Sequence, residues 1–167
     1  MSEIADPNQP ETGTAEMPDP RAEAELEQIE EDFQATGPLV GIIMGSKNDM
    51  EKMLPAQKYL DEQGIKSEVH VMSAHRDPDK VHEFCTTARA RGLKVIIAGA
   101  GMSAALPGVA AAQTDLPVIG VPILGKSLGG LDALLSAVQM PPGIPVACVA
   151  IDGAKNAGVL AARIINA

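Results

Sequence analysis

Aromatic residues are scarce in this chain of 167 residues: Phe33, Tyr59 and Phe84 make up 2% of it, and tryptophan is absent. Basic residues are also in the minority, and the formal net charge is −9. Nucleic-acid-binding proteins neutralise phosphates with basic side chains and stack bases on aromatic rings. The composition therefore argues against a nucleic-acid partner. Hydrophobic residues still reach 46%, so the core has to be mainly aliphatic.

Cysteine is represented only by Cys85 and Cys148, which lie far apart and form no CxxC pair. This spacing excludes a disulfide framework and gives no sign of a zinc site, so we expect a cytoplasmic protein without a bound metal. No apolar run approaches 18 residues, and the first residues are acidic rather than basic and then apolar. We therefore expect neither a membrane span nor a signal peptide.

Negative charge is concentrated at the N-terminus. Residues 1–36 hold eleven of the 22 acidic residues and one of the 13 basic ones, which leaves a net charge of +1 for residues 37–167. The first segment is rich in proline and acids, which predicts an acidic, largely disordered tail. Within it, residues 21–34 favour a helix with one apolar face, either solvated or docked on a neighbouring subunit. We expect residues 37–167 to form a single α/β catalytic domain.

Short apolar runs alternate with helical segments through the rest of the chain. The predicted strands cover residues 39–44, 67–72, 93–98, 117–123 and 145–151. Asp77 fits an N-cap position before Pro78, while Gly64 and Gly92 fit positions just past helix ends. Such alternation requires crossover connections, so the predicted fold is α/β: a three-layer, flavodoxin-like, doubly wound sheet of five parallel strands. The predicted strand order is 2-1-3-4-5.

Ligands of open α/β sheets bind beside the carboxyl ends of the strands, close to the point where the strand order reverses. The loop after the first predicted strand, GSKND, opens a helix, and Ser46 and Asn48 are placed to hold an anion at its N-terminus. Asp49 is suited to accept hydrogen bonds from sugar hydroxyls. The same residue types also cap helices without binding a ligand, so both interpretations stay open at this point.

The loop after the second predicted strand, SAHRDP, combines His75 with Arg76. Arginine offers a planar set of donors to a phosphate or carboxylate, and histidine exchanges a proton near neutral pH. The pair is as consistent with a functional as with a structural role. His70 inside a strand and His82 inside a helix are interpreted as packed or surface residues, and the two cysteines as buried, unreactive thiols.

The loop after the third predicted strand, GAGMSAALPG, has no titratable side chain. Its small residues permit a close approach of the backbone to a ligand, or simply a tight turn from strand to helix. The loop lacks the third glycine of the dinucleotide-binding fingerprint, and the chain lacks a Walker A lysine. Neither a dinucleotide fold nor a P-loop is therefore predicted.

Together these motifs resemble one family, the 5-(carboxyamino)imidazole ribonucleotide mutases of purine biosynthesis, or PurE-type proteins. The matching stretches are MGSKNDM (44–50), SAHRDPD (73–79), VIIAGAG (95–101), LPG (106–108), LPVIGVP (116–122), LLSAVQMPPGIPVA (134–147) and KNAGVLAARI (155–164). The resemblance implies a small-molecule ribonucleotide substrate and transfer of a carboxylate from an exocyclic nitrogen to a ring carbon. It also implies no cofactor (no metal, ATP or biotin) and a homo-octamer with sites at subunit junctions.

Residue by residue, the resemblance makes His75 the proton-transfer residue. It implies that Asp49 binds the ribose hydroxyls and that Arg76 holds the phosphate, with help from Ser46, Asn48 and Ser73. The backbone on the base side of the substrate is expected to come from Gly99, Ala100, Gly101, Met102 and Ser103.

The third loop departs from the family pattern. Bacterial members commonly read GAGGAAHLPG there, so Met102 replaces a glycine and Ala105 replaces a second histidine, whose role cannot be carried over. The departure keeps two alternatives in view: direct carboxylation of aminoimidazole ribonucleotide by CO2, and a non-catalytic nucleotide-binding module. The mutase is favoured because Arg76 follows His75, whereas the carboxylase branch typically has lysine at that place.

Overall fold

Five parallel strands form one sheet in the computed structural model, which describes residue 24 and residues 37–167. The strands are β1 (Val40–Met44), β2 (Ser67–Val71), β3 (Val95–Gly101), β4 (Val118–Ile123) and β5 (Ala147–Cys148). Their order across the sheet is β2-β1-β3-β4-β5, so the predicted α/β class and strand order are confirmed. The predicted disorder of the tail lies outside the described residues, and so does the predicted helix over 21–34 apart from residue 24.

Helices cover both faces of the sheet. They are α1 (Met50–Glu62), α2 (Pro78–Thr87), α3 (Ala105–Ala111), α4 (Leu131–Val138) and α5 (Ala154–Ile165). Successive strand residues point to opposite faces, so in β1 Ile42 packs with α1 and α5 while Ile43 packs with α2, α3 and α4. Both isoleucines are fully buried. Because helices cover both faces of the sheet, the central strands are apolar on both faces. No helix within residues 37–167 is long and apolar enough to cross a membrane.

Of the two glycines predicted just past helix ends, Gly64 follows α1 as expected, whereas Gly92 lies five residues beyond the end of α2. Gly64 has a φ angle of +70° and Gly92 one of +91°, the left-handed conformation that glycine adopts without strain. After α1, the N–H of Gly64 donates to Asp61 and that of Ile65 donates to Leu60, the paired bonds of a Schellman motif. The prediction for α2 was less accurate: the helix itself ends at Thr87, and turns carry the chain on to Gly92.

The N-terminus of α2 is a partial correction. Pro78 is its first residue, as predicted, and Asp77 occupies the N-cap position. The Asp77 carboxylate, however, makes no capping bond to the helix. It accepts a hydrogen bond at 3.4 Å from the backbone N–H of Ser73, so it braces the preceding loop instead.

Strands β3 and β5 differ in length from their predictions. β3 continues to Gly101, so three residues predicted as loop are paired with β4. A Cβ at position 99 would overlap the Met53 side chain of α1, so a larger residue there would force Met53 to move. β5 contains only two residues, and it lies at the edge of the sheet with pairing to β4 alone. Pro145 has no N–H with which to extend the ladder toward the N-terminus.

Candidate active site

The carboxyl ends of β1, β2, β3 and β4 surround a cleft of about 810 Å³. This volume falls in the range typical of small-molecule sites. The cleft lies where the strand order reverses between β1 and β3, the position expected for an open α/β sheet. Ten of the eleven predicted site residues line it: Ser46, Asn48, Asp49, Ser73, His75, Arg76, Ala100, Gly101, Met102 and Ser103. Gly99, the eleventh, is not among the lining residues and instead makes room for Met53.

The loop after β1 forms a short 3-10 turn over Lys47–Asp49. Ser46 has extended backbone angles before this turn, and its hydroxyl accepts a hydrogen bond at 3.2 Å from the N–H of Asn48. Ser46 therefore caps the turn, which was one of the two interpretations of this motif. The cap fixes the loop so that the Asn48 and Asp49 side chains border the cleft.

Asp49 is a half-buried carboxyl group at the start of α1. Burial raises the pKa of Asp49 above its ordinary value, because loss of water disfavours the charged form. The positive charge of Lys52, a hydrogen bond from the Ser46 backbone and the positive charge of Arg76 lower this pKa. The negative charge of Asp152 raises it further. A partly desolvated carboxylate is a strong acceptor for hydroxyl donors, which suits contact with a sugar.

The loop after β2 is a tight turn built on Ser73. This serine is 7% exposed, and its carbonyl accepts hydrogen bonds from the N–H groups of Arg76 and Asp77 at 3.2 and 2.8 Å. Its hydroxyl accepts a further bond from the Arg76 N–H at 3.3 Å. His75 sits exposed in this turn, and its ring has no hydrogen-bond or ion-pair partner among residues 37–167. The imidazole is thus available to a bound molecule.

Arg76 connects the first two loops. Its guanidinium donates a hydrogen bond to the carbonyl of Gly45, at the end of β1. It forms no ion pair with any residue in the described part of the chain. Because a guanidinium has five N–H donors in a fixed plane, several remain for an anion in the cleft.

The end of β3 contributes an uncharged side to the cleft. Gly101 lies so close to β4 that a Cβ would be 3.3 Å from the carbonyl of Ile123. Met102 follows with a φ angle of +55° and with 67% of its surface exposed. Ala105 and Leu106 continue this side at the start of α3.

The chain was compared with known protein families. The sequence model of the family described as AIR carboxylase matches residues 39–167. The chain belongs to the AIR carboxylase family. The resemblance inferred from the motifs is thereby confirmed.

Several relatives in this family are closely similar over the described region. The chain is 60% identical over 129 residues to N5-carboxyaminoimidazole ribonucleotide mutases of Pyrococcus abyssi and Aquifex aeolicus, covering 77% of this chain and 74% and 77% of theirs. It is 56% identical to phosphoribosylaminoimidazole carboxylase of Schizosaccharomyces pombe, over 77% of this chain and 23% of that protein. The crystal structure of Treponema denticola PurE superposes with a TM-score of 0.70 at 34% identity, covering 78% of this chain and 81% of that one. These matches support the flavodoxin-like architecture.

Sequence reasoning did not assign the side of the cleft that follows β4. Ile123 and the segment 124–127 after β4 also line it, although their sequence carries no conspicuous chemical motif. The rule that ligands bind at the carboxyl ends of strands was the one available signal. An ion pair between Lys52 and Asp152 behind this segment was missed as well, since the two residues are 100 positions apart.

The remaining histidines and cysteines take no part in the cleft. The His70 ring packs against Phe84 with 5.3 Å between ring centroids, which agrees with its interpretation as a packed residue. Cys85 is buried, and burial raises the pKa of its thiol to about 11, so it is an unreactive core residue as expected. Cys148 is only half-buried. Within residues 37–167 no group of three potential ligands is arranged to hold a metal ion.

Proposed function

We propose that this chain is an isomerase of purine biosynthesis that converts 5-(carboxyamino)imidazole ribonucleotide into 4-carboxy-5-aminoimidazole ribonucleotide. The observation that carries the proposal is the convergence of an unpartnered imidazole, a guanidinium with open donors and a half-buried carboxyl group in one cleft. The mutase names of relatives at 60% identity support it independently. Residues 37–167 are the catalytic domain in this proposal.

The substrate's 5′-phosphate binds at Arg76, whose open donors match phosphate oxygens. Ser46, Asn48 and Ser73 add hydroxyl, amide and backbone donors on the same side of the cleft. The ribose hydroxyls donate to Asp49. The imidazole ring then extends toward the uncharged side, formed by residues 100–103. Gly99, which was expected beside the base, does not line this side, and its lack of a side chain leaves room for Met53.

His75 moves one proton in each half of the reaction. It first donates a proton to the exocyclic nitrogen, and the carbamate C–N bond breaks to release CO2 and the free amine. Ring carbon C4 then attacks the CO2 carbon, and the proton on C4 returns to His75 as the ring regains its aromatic electrons. Atoms and charge balance without any co-reactant, so one positioned acid–base group suffices.

CO2 must stay beside the ring between these two steps. Ala100, Met102, Ala105 and Leu106 give this part of the cleft a largely apolar lining without charged side chains. Such a lining excludes water that would otherwise hydrate the site, and it holds the two reactants in contact. Ala105 cannot exchange a proton, so the proposal assigns all proton transfer to His75.

The same proposal includes assembly into a homo-octamer in the cytoplasm, with no nucleic-acid partner. Helix α4 and the turn before it expose four large apolar side chains, with exposures between 46% and 73%: Leu128, Leu131, Leu135 and Val138. Exposed apolar patches commonly mark contacts between subunits, which supports self-association. Cys85 and Cys148 are both free thiols, which is compatible with a reducing compartment.

The experiment that tests the activity supplies the carbamate isomer and, in a separate assay, aminoimidazole ribonucleotide, each with and without bicarbonate. We expect conversion of the carbamate isomer at a rate that added bicarbonate does not change, measured by absorbance of the carboxylated aminoimidazole product. Conversion of aminoimidazole ribonucleotide that requires bicarbonate, without turnover of the carbamate isomer, would contradict the mutase. Binding of the nucleotide without any conversion would indicate a non-catalytic nucleotide-binding module.

Direct carboxylation is the second candidate. Ala105 in place of a histidine favours it, because it leaves one acid–base group where bacterial mutases have two. The 56% identity to a protein named phosphoribosylaminoimidazole carboxylase also bears on this candidate, although the chain spans 23% of that relative. The isomer assay separates the two activities directly, since only the carboxylase consumes external CO2.

A further inference from the structure

Two charged residues outside the predicted site meet behind one side of the cleft. Lys52 lies in the first turn of α1, and Asp152 lies in the turn between β5 and α5. The Lys52 ammonium is 2.9 Å from one carboxylate oxygen of Asp152 and 3.1 Å from the other. The two side chains are 32% and 33% exposed, so the pair is partly shielded from water.

Both members of this pair also hold the backbone of Leu124, the first residue after β4. Lys52 Nζ donates to the Leu124 carbonyl at 3.0 Å, and the Leu124 N–H donates to Oδ1 of Asp152 at 2.9 Å. The backbone N–H of Asp152 donates in turn to the carbonyl of Pro122 at 2.8 Å. Leu124 is therefore tied to two segments that are 72 and 28 residues away in sequence.

Leu124 begins the segment 124–127, and all four residues of this segment line the cleft. At its other end the chain enters a turn in which Leu128, Gly129 and Gly130 all have positive φ angles. Asp152 itself has a φ angle of +56°, a conformation that costs a non-glycine residue free energy. Such a conformation persists where surrounding interactions compensate for it, and the bonds to Lys52, Leu124 and Pro122 are those interactions.

We propose that Lys52 and Asp152 are positioning residues that fix segment 124–127 as a preformed side of the substrate cleft, an inference that rests on the proposed function. Neither residue lines the cleft, so neither is assigned a contact with the nucleotide. Their effect is transmitted through the backbone of Leu124. A side that is ordered before binding loses less conformational entropy when the ligand arrives, which strengthens binding.

The pair also neighbours Asp49, so an electrostatic effect has to be separated from the positional one. Burial raises the pKa of Asp49, the Lys52 charge opposes this rise, and the Asp152 charge adds to it. Removing both charges together takes away one effect of each sign on Asp49, and the loss of Lys52 still frees the Leu124 carbonyl. A double variant, Lys52→Met with Asp152→Asn, therefore reduces the electrostatic effect while it keeps the positional one.

The test compares Lys52→Met with Lys58→Met, which removes an exposed lysine from the same helix. Three quantities are measured: kcat and KM, the Kd for 4-carboxy-5-aminoimidazole ribonucleotide by calorimetry, and deuterium uptake of segment 124–127. Loss of hydrogen bonds to charged groups is expected to raise KM and Kd about 10-fold, with kcat within about threefold of the wild type. Uptake in 124–127 is expected to accelerate in Lys52→Met and in the double variant but not in Lys58→Met. Lys52→Arg, which keeps the charge and the donors, is expected to restore binding to within about threefold.

Unchanged uptake, or faster uptake with unchanged Kd, overturns the positioning role. If Lys52→Met does not fold, Asp152→Asn decides the question. This variant loses the ion pair with Lys52 but keeps an acceptor for the Leu124 N–H, so it should weaken binding by only about threefold. If the wild type binds the nucleotide normally but does not isomerise it, the proposed function is rejected. The Kd and uptake values of the variants then decide the positioning role. Failure of the wild type to bind the nucleotide rejects both.

Discussion

The two long sides of the cleft differ in chemistry although both follow buried parallel strands. The charged side consists of residues 45–49 and 73–76, after β1 and β2, and it carries a carboxyl group, an imidazole and a guanidinium. The uncharged side consists of residues 100–106, at the end of β3 and the start of α3, and it carries no titratable group. One sheet edge thus places the titratable groups on one side of the cleft and a largely apolar surface on the other.

The difference has a local structural cause. The loops after β1 and β2 form short hydrogen-bonded turns, in which Ser46 and Ser73 hold the backbone and leave Asp49, His75 and Arg76 free to face a ligand. The end of β3 is still paired with β4, and its small residues allow that close pairing. The polar residues of the cleft therefore come from turns, while the apolar side comes from the sheet itself. We expect substitutions on the charged side to act mainly on rate and affinity, and substitutions on the uncharged side to act mainly on stability.

The largest effect is expected on the charged side, from His75→Asn. Removal of a general acid–base group costs roughly 100-fold or more in rate, so kcat should fall by at least that factor while nucleotide binding is retained. Turnover of the separated carbamate isomer measures this effect. His82→Asn on α2, outside the cleft, is the matched control and should retain full activity. Unchanged kcat in His75→Asn would mean that the charged side does not supply the proton-transfer group.

Arg76→Met is expected to act on affinity rather than on the chemical step. Loss of charge-assisted hydrogen bonds to a phosphate should raise KM about 30-fold, with a smaller change in kcat. Arg76→Lys retains the charge without the planar donors and should give an intermediate KM. Arg89→Met, which removes a surface ion pair with Asp115, serves as the control. Equal KM values for the nucleotide and for its dephosphorylated nucleoside in the wild type would contradict the phosphate assignment.

The sequence predicted which polar side chains line the charged side, because these residues are contiguous in two short loops. A parallel sheet followed from the alternation of apolar and helical segments, and its strand order from the flavodoxin-like arrangement expected at this length. The loops GSKND and SAHRDP each place their cleft-lining side chains within a few residues. A strand followed by such a loop carries its own positional information. The cleft brings together all six residues that these two motifs nominated.

The features that sequence reasoning missed depend on contacts between distant segments. The Lys52–Asp152 pair joins residues 100 positions apart, and neither residue stands in a recognisable motif. Gly99 was assigned to the ligand, yet a Cβ there would overlap Met53 on a helix 46 positions earlier in sequence. The short β5 likewise reflects its place at the sheet edge, which depends on the whole topology. Local patterns carry no information about such long-range packing.

Asp49→Asn is expected to weaken nucleotide binding and at the same time to stabilise the fold. Loss of the carboxylate is expected to raise KM about 10-fold, since Asn accepts hydroxyl hydrogen bonds less strongly. Burial raises the pKa of Asp49 in the folded state above its ordinary value of 3.8, so the wild type loses stability as pH rises from that value through the raised pKa. Asn carries no charge to desolvate. The variant should therefore unfold at higher urea concentration at pH 7, by a small margin because Asp49 is only half-buried.

Lowering the pH checks the sign of this effect. The stability advantage of Asp49→Asn should shrink as pH falls toward 3.8, because the wild-type carboxyl group becomes neutral in the folded state first. Asp61→Asn, at an exposed position at the far end of the same helix and outside the cleft, serves as the matched substitution for nucleotide binding and should leave KM unchanged. An advantage that grows with falling pH would mean that Asp49 is stabilised, not strained, in its charged form.

The smallest effect is expected on the uncharged side, from Met102. Its left-handed backbone costs a non-glycine residue about 1 kcal/mol, and its side chain is 67% exposed and contributes little burial. Met102→Gly should therefore be about 1 kcal/mol more stable than Met102→Ala, which removes the same side chain but keeps the Cβ that causes the strain. Urea unfolding of the two variants measures this difference. Both variants should also isomerise substrate less efficiently than the wild type, because the apolar lining over the CO2 position is lost. If both retain full activity, strain at Met102 has no counterpart in function, and the uncharged side serves the fold alone.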